Sequence, residues 1–273
     1  MDINKLNVSN RETVAIVGVP FDDKSSFMKG AAEGPDQIRL IMHDGSSNYS
    51  SESGVVLEED HHFVDVGNLD VKDYHSDISN GVSQVLEQCN KAIILGGDHS
   101  IAYPVIKAFS QKYPDLHILQ FDAHTDLYDE YEGDRYSHAC PFARIMEENL
   151  VRSLTQIGIR VVTPHQVEQQ KKFKVDIITM HDWYCNRKPS LRGPLYISLD
   201  LDVFDPGFAP GVSHHEPGGM NPREVIELIL SIDVPLVGAD IVELNPRRDH
   251  AGITAMLAAK LLKELMGKMV KQS

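Results

Sequence analysis

Leu116-His117-Ile118-Leu119-Gln120-Phe121-Asp122-Ala123-His124-Thr125-Asp126 and Leu195-Tyr196-Ile197-Ser198-Leu199-Asp200-Leu201-Asp202 share one plan: a strand-forming run that ends in carboxylates two residues apart. Side chains alternate along a strand, so residues i, i+2 and i+4 face the same way. Asp122, His124 and Asp126 then form one cluster, provided the extended conformation continues past the strand end, and Asp200 with Asp202 forms another. A third apolar run, Ala92-Ile93-Ile94-Leu95, leads into Gly96-Gly97-Asp98-His99. A single Asp at a strand end as readily caps a turn or a helix. All three segments together would gather anionic groups that repel one another unless something cationic sits among them. The economical expectation is a pair of divalent metals.

Two imidazoles among four carboxylates make a hard, oxygen-rich ligand set. It suits Mn²⁺, with Co²⁺, Ni²⁺ or Fe²⁺ as substitutes. Zinc favours more nitrogen or sulfur, and calcium favours carbonyl oxygens over imidazole. Cys89, Cys140 and Cys185 show no CxxC spacing and fit a reducing compartment.

Outward from these runs, strands alternate with helices. Strands are expected at Thr13 to Val19, His62 to Val66, Ala92 to Leu95, around Ile118, at Leu154 to Ile159, Val175 to Met180, Leu195 to Leu199 and Pro235 to Ala239. Helices are expected at Pro35 to His43, Tyr74 to Cys89, Ser100 to Lys112, Pro141 to Glu148, from Thr163-Pro164, from Asn221-Pro222 to Ser231, and at Ile253 to Met269. Thr163 should cap its helix, with Pro164 in the first position. Gly45 to Gly54, rich in Ser and Asn, reads as an exposed loop. This order implies an α/β fold, a mostly parallel sheet with helices on both faces in three αβα layers. No linker or internal repeat divides it, so one domain over residues 1–273 is expected. Ligands of open α/β sheets bind beyond the carboxyl ends of the strands, where all three acidic segments fall.

With 42% apolar and 24% charged residues among 273, the chain has the composition of an ordinary globule. Its net charge of −14 argues against nucleic acid or an anionic membrane as partner and would attract small cations, although acidity also serves plain solubility. Met1-Asp2-Ile3-Asn4-Lys5 opens no long apolar segment, and no run reaches a membrane span of ~18 residues. A cytoplasmic location is the expectation.

Gly96-Gly97-Asp98-His99-Ser100, Asp122-Ala123-His124-Thr125-Asp126 and Ser198-Leu199-Asp200-Leu201-Asp202-Val203-Phe204-Asp205-Pro206 resemble the three signatures of the ureohydrolase family. That family includes arginases, agmatinases, guanidinobutyrases and formimidoylglutamases. The resemblance runs from Gly18-Val19-Pro20 to Ala255-Met256-Leu257-Ala258-Ala259-Lys260 and implies an arginase-like fold. It also implies that His99, Asp122, Asp126 and Asp200 hold one manganese, and that Asp122, His124, Asp200 and Asp202 hold the other. Asp126 would also aim the nucleophile. Glu243, in Ala239-Asp240-Ile241-Val242-Glu243, matches the guanidinium-binding glutamate, and His138, in Tyr136-Ser137-His138, the proton-shuttle histidine. The implied substrate is a small cationic guanidine and the implied assembly a homo-oligomer, trimer or hexamer.

The segment Asp129 to Cys140 resembles agmatinases and plant-type arginases alike, and departs from the Asn- and Ser-containing loop with which animal-type arginases hold an α-amino acid. Ser213-His214-His215-Glu216-Pro217-Gly218-Gly219 and the Gly45 to Gly54 loop resemble plant-type arginases more closely. Arginine is therefore the expected substrate and agmatine the alternative. His214 and His215 either face the pocket or belong to a solvated loop. The acidic run Asp129, Glu130, Glu132 and Asp134 either receives a cationic end or is a solvated charged loop. Two other classes stay open: a deacetylase-like enzyme with one zinc, and a non-catalytic metal-binding protein on the same fold.

Overall fold

The structure, a computed structural model, describes residue 1, residues 12–59 and residues 61–272. The amino-terminal reading at residues 2–5 therefore lies outside the described residues. In chain order the strands are β1 (Val14–Gly18), β2 (Phe63–Asn68), β3 (Lys91–Leu95), β4 (His117–Phe121), β5 (Ser153–Ile159), β6 (Asp176–Thr179), β7 (Leu195–Asp200) and β8 (Leu236–Val242). The helices are α1 (Gly34–His43), α2 (Asp77–Gln88), α3 (Ala102–Lys112), α4 (Pro141–Glu147), α5 (Pro164–Phe173), α6 (Met180–Tyr184), α7 (Pro222–Ser231) and α8 (Ile253–Lys271).

All eight strands join one parallel sheet in the order β2-β1-β3-β8-β7-β4-β5-β6. Strand alternation divides the core between its two faces. Val14 and Ile16 of β1 face one layer and Ala15 and Val17 the other; Leu195, Ile197 and Leu199 of β7 oppose Tyr196 in the same way. Burial on both faces explains why these strands read as continuous apolar runs rather than alternating ones. Helix α8, with 13 of its 19 residues buried, covers one face beside α1 and α7.

The order also creates a reversal. β7 and β8, the last strands in the chain, pair between β3 and β4, so the central four strands are β3, β8, β7 and β4. Their carboxyl ends surround the switch in direction where open sheets bind ligands.

Helix starts follow their capping chemistry. Thr163 caps α5 and α7 starts after Asn221, as expected; beyond that expectation, Thr163 and Asn221 close reciprocal capping boxes with Gln166 and Glu224. Other expectations are corrected. The strand expected to reach Met180 stops at Thr179, because that side chain caps α6 with Asp182. The strand expected to end at Ala239 runs to Val242. Tyr74 precedes its helix and instead sends its hydroxyl to the Ser100 carbonyl at 2.8 Å. The Gly45 to Gly54 loop is irregular but not wholly exposed. Ser51 is buried, and the buried Glu264 carboxylate accepts the Glu52 N–H at 3.0 Å.

Candidate metal centre

Three of the four central strands deliver carboxylates and imidazoles to a shared point. Beyond β3 the chain turns sharply at Gly97, where a Cβ would stand 1.9 Å from the Phe21 carbonyl oxygen, so only glycine fits. The following short turn, His99–Ile101, buries His99 completely. His99 Nδ1 lies 3.1 Å from Asp122 Oδ2, 3.0 Å from Asp126 Oδ2 and 3.2 Å from Asp200 Oδ2. On the other side of Asp122, His124 Nδ1 lies 2.9 Å from Asp202 Oδ2 and 3.6 Å from Asp122 Oδ1. Two overlapping ligand groups result, His99–Asp122–Asp200 and Asp122–His124–Asp202, with Asp122 in both.

The His99 contacts fit a metal better than a hydrogen bond. Nδ1 is buried and has no hydrogen-bond partner of acceptable angle, despite the three oxygens around it. Adjacent ligands at ~2.1 Å from an octahedral ion stand ~3.0 Å apart, close to the spacing found here. The tautomer fits too. Ser198 Oγ donates to Asp240 Oδ1 at 2.8 Å, so it must accept from His99 Nε2 at 2.9 Å. In the neutral ring that arrangement leaves the Nδ1 lone pair free for an ion.

Hydrogen bonds also fix the carboxylates. Asp122 Oδ1 accepts the His124 N–H at 2.6 Å, and Oδ2 accepts Gln120 Nε2 at 2.7 Å. Gln156 Nε2 in turn donates to Gln120 Oε1 at 2.5 Å. Asp200 Oδ1 accepts the Asp202 N–H, and Asp202 Oδ1 accepts the Ala123 N–H. Arg160 braces the rim by donating to the Asp202 carbonyl at 2.6 Å and to that of Glu216.

Extended backbone does not produce this cluster throughout. β4 ends at Phe121, and Asp126 arrives with φ +48°; Asp202 lies in the short turn Leu201–Val203. The expected residues converge, but turns bring in the last of each set. Glu243 follows β8 directly, with φ +67°. Left-handed backbone at Asp126 and Glu243 costs on the order of 1–3 kcal/mol each, a strain typical of functional positions.

Glu243 Oε1 accepts the His99 N–H at 2.8 Å and lies 3.5 Å from His138 Nδ1, while His138 Nε2 meets Ser26 Oγ at 2.9 Å. Burial lowers the His138 pKa, but the Glu243 carboxylate outweighs it and raises the pKa to about 9. Burial and then the charge of Glu243 push Asp98 up to about 7. Asp98 is not part of the ligand groups; it accepts from the Ser100 and Lys24 backbone N–H groups.

A cavity of about 200 Å³ opens over the cluster, lined by His124, Asp126, His138, Asp200, Asp202, His214 and Glu243 among others. His214 thus faces the pocket and stacks on His138 at 5.1 Å. His215 does not line it, bonding instead to the Pro210 carbonyl and to Arg248. None of the acidic run lines the cavity. Asp129 pairs with Arg135 and Arg144, Asp134 pairs with Lys24, and Glu130 and Glu132 are exposed. Sequence reasoning missed Ser198, Asp240, Gln120, Gln156, Arg160 and the cavity residues Tyr128, Tyr131, Val161 and Gln166. Ser198, Gln120 and Asp240 stood inside quoted stretches, but no role was read for them. No helix among the described residues is long and apolar enough to cross a membrane.

The model of the Arginase family matches residues 12–267. "Arginase 1, mitochondrial" of Arabidopsis thaliana is 41% identical, over 96% of this chain and 82% of that protein. "Agmatinase" of Bacillus anthracis is 33% identical over 94% and 92%. Among solved structures, "Arginase from Medicago truncatula" superposes with a TM-score of 0.90 at 39% identity, covering 98% of this chain and 90% of that one. The strand order, the paired acidic cluster and these likenesses agree from one end of the fold to the other: the chain belongs to the arginase family.

Proposed function

We propose that the protein is a binuclear manganese hydrolase that converts arginine to ornithine and urea. The observation that carries this reading is the pair of imidazoles sharing Asp122 beneath a cavity that also holds Glu243 and His138. His99, Asp122, Asp126 and Asp200 are assigned to one ion, and Asp122, His124, Asp200 and Asp202 to the other. The oxygen-rich donor set favours Mn²⁺, with Co²⁺, Ni²⁺ or Fe²⁺ as substitutes. Bound there, a pair of divalent ions would make water nucleophilic at neutral pH and balance charge developing on the substrate.

The side chains do the rest. Glu243 pairs with the planar guanidinium and holds its carbon over the cluster. Asp126 accepts a hydrogen bond from the attacking oxygen and aims it. His138, poised between Glu243 and Ser26, delivers a proton to the departing amine nitrogen. His124 is the half-exposed side of the cluster, so substrate approaches past it.

The unbroken eight-strand sheet supports one domain over residues 1–273. The acidic charge and the absence of CxxC pairs support a cytoplasmic enzyme without nucleic-acid or membrane partners. Family resemblance supports a homo-oligomer, trimer or hexamer.

Agmatinase is the second reading, favoured by one observation: among the described residues lining the cavity, none is Lys or Arg to meet a substrate carboxylate. The deciding experiment compares hydrolysis of arginine, agmatine, 4-guanidinobutyrate and formimidoylglutamate by the Mn²⁺-loaded protein. Arginine is expected to lead. Agmatine in first place would select the second reading, and an anionic guanidine in first place would reject both. No product from any of them would favour a binding protein.

A further inference from the structure

One wall of the cavity has no task in the hydrolysis itself. Tyr128 and Tyr131 follow β4, and Val161 and Gln166 follow β5, whereas Glu243 follows β8. Gln166 is only 3% exposed. Its Oε1 accepts from the Thr163 N–H at 2.9 Å and from the Thr163 hydroxyl at 3.2 Å. A backbone N–H can bond only to the amide oxygen, so Gln166 Nε2 is forced to point away from the helix start. Among the described residues no group accepts from Nε2, and Gln166 is the one amide side chain lining the cavity. The residue lines the cavity and its Nε2 is not among the buried unpartnered atoms, so this N–H keeps access to the cavity and is free to donate to an acceptor bound there.

We propose that Gln166 receives the α-carboxylate of an amino-acid substrate, and so sets the preference for arginine over agmatine. The inference rests on the guanidine-hydrolase reading above and names a specificity determinant of the same site. Neighbouring parallel strands lie about 4.8 Å apart, so the three steps from β8 to β5 set those strands about 14 Å apart across the sheet. Glu243 and Gln166, which follow those two strands, line the same cavity. With no Lys or Arg on the lining and His138 already paired with Glu243, a carboxylate needs a further donor. Gln166 Nε2 supplies one, and it stands in the first turn of the ten-residue α5, where the helix end carries partial positive charge. Agmatine, lacking the carboxylate, would forgo this hydrogen bond, and a site built to bond a substrate group discriminates against the analogue without it.

The test is Gln166→Glu in the metal-loaded enzyme. Glutamate keeps the oxygen that caps Thr163 and is itself a favoured capping-box residue, so α5 is retained. It replaces the donor with a negative charge facing the substrate carboxylate. KM for arginine should rise by about 10- to 100-fold, while the arginine-to-agmatine ratio of kcat/KM falls by a similar factor. Calorimetry with ornithine and putrescine gives a readout free of turnover, and only the ornithine affinity should weaken to that extent. Equal losses for arginine and agmatine, a loss confined to kcat, or an unchanged arginine KM would overturn the proposal. Failure of the underlying reading looks different: the unaltered enzyme would release urea from neither guanidine, and both inferences would fall together.

Discussion

The His99 and His124 halves of the acidic cluster hold similar ligands in different surroundings. His99 is sealed in the core, its Nε2 tied through Ser198 to Asp240 and its ring set edge-on to Phe142 at 5.2 Å. The His124 side chain is 28% exposed and lines the cavity, with Asp202 as its near partner. One half is therefore positioned before any ligand arrives, and the other is open to solvent and substrate. Fixing every ligand by packing would seal off the chemistry, while leaving all of them loose would lose the metals. The fold divides the two tasks between its halves.

The largest effect should erase that difference. Asp122→Ala or Asp200→Ala removes a carboxylate assigned to both ions, so metal content should fall for both and activity by about 10²–10³-fold or more. Full activity in a metal-stripped sample would end the two-metal reading. Next, His138→Ala should leave both ions in place and lower kcat by about 10²–10⁴-fold, since its partners are Glu243, Ser26 and His214 rather than the assigned ligands. Metal loss in that variant would show that His138 holds the cluster rather than serving the substrate.

A finer probe is Ser198→Ala, which frees His99 Nε2 without removing a ligand. The affinity of the buried half should weaken by about 10- to 100-fold, with the His124 half little changed. Equal weakening of both ions, read by calorimetric titration, would contradict the division of tasks. The smallest effect is pH linkage. Burial lowers the His124 pKa, but Asp202 and Asp122 outweigh it and raise the pKa to about 12 in the metal-free protein. With a folded pKa above the ordinary 6.5, the imidazolium contributes fully to the metal-free fold below pH 6.5 and is lost only towards pH 12. A metal must displace that proton at neutral pH, so uptake should strengthen with pH, by about tenfold per unit for each proton released. Calorimetry in buffers of different ionisation enthalpy would detect the proton, and no buffer dependence would refute the linkage.

Much of the site was legible because its residues lie next to strong local signals. Asp122, His124 and Asp200 stand at or just beyond the ends of apolar runs, and the chain places them where the pattern predicts. Asp126 and Asp202 were found by the same reasoning for a partly mistaken cause, since turns rather than extended backbone bring them in. Ser198 and Asp240 escaped notice because their meaning depends on each other and on His99, far away along the chain. Gln166 drew no reading from the sequence, although it stands three residues after the expected cap Thr163 and closes its capping box. Nothing local says that its other edge meets a cavity. The short α6 was missed because the Thr179 cap cuts a strand that hydrophobicity alone would extend.

By itself the sequence determined the alternation of strands and helices, the parallel sheet and the acidic residues at the strand ends. These follow from periodicity, capping and the sign of charge, all local properties. Strand order was decided by tertiary structure alone. The runs of β3, β4, β7 and β8 are all apolar and buried on both faces, so no pattern within any of them names its neighbour. Packing inserted β7 and β8 between β3 and β4, and that insertion carried Asp200, Asp202 and Glu243 to His99 and Asp122.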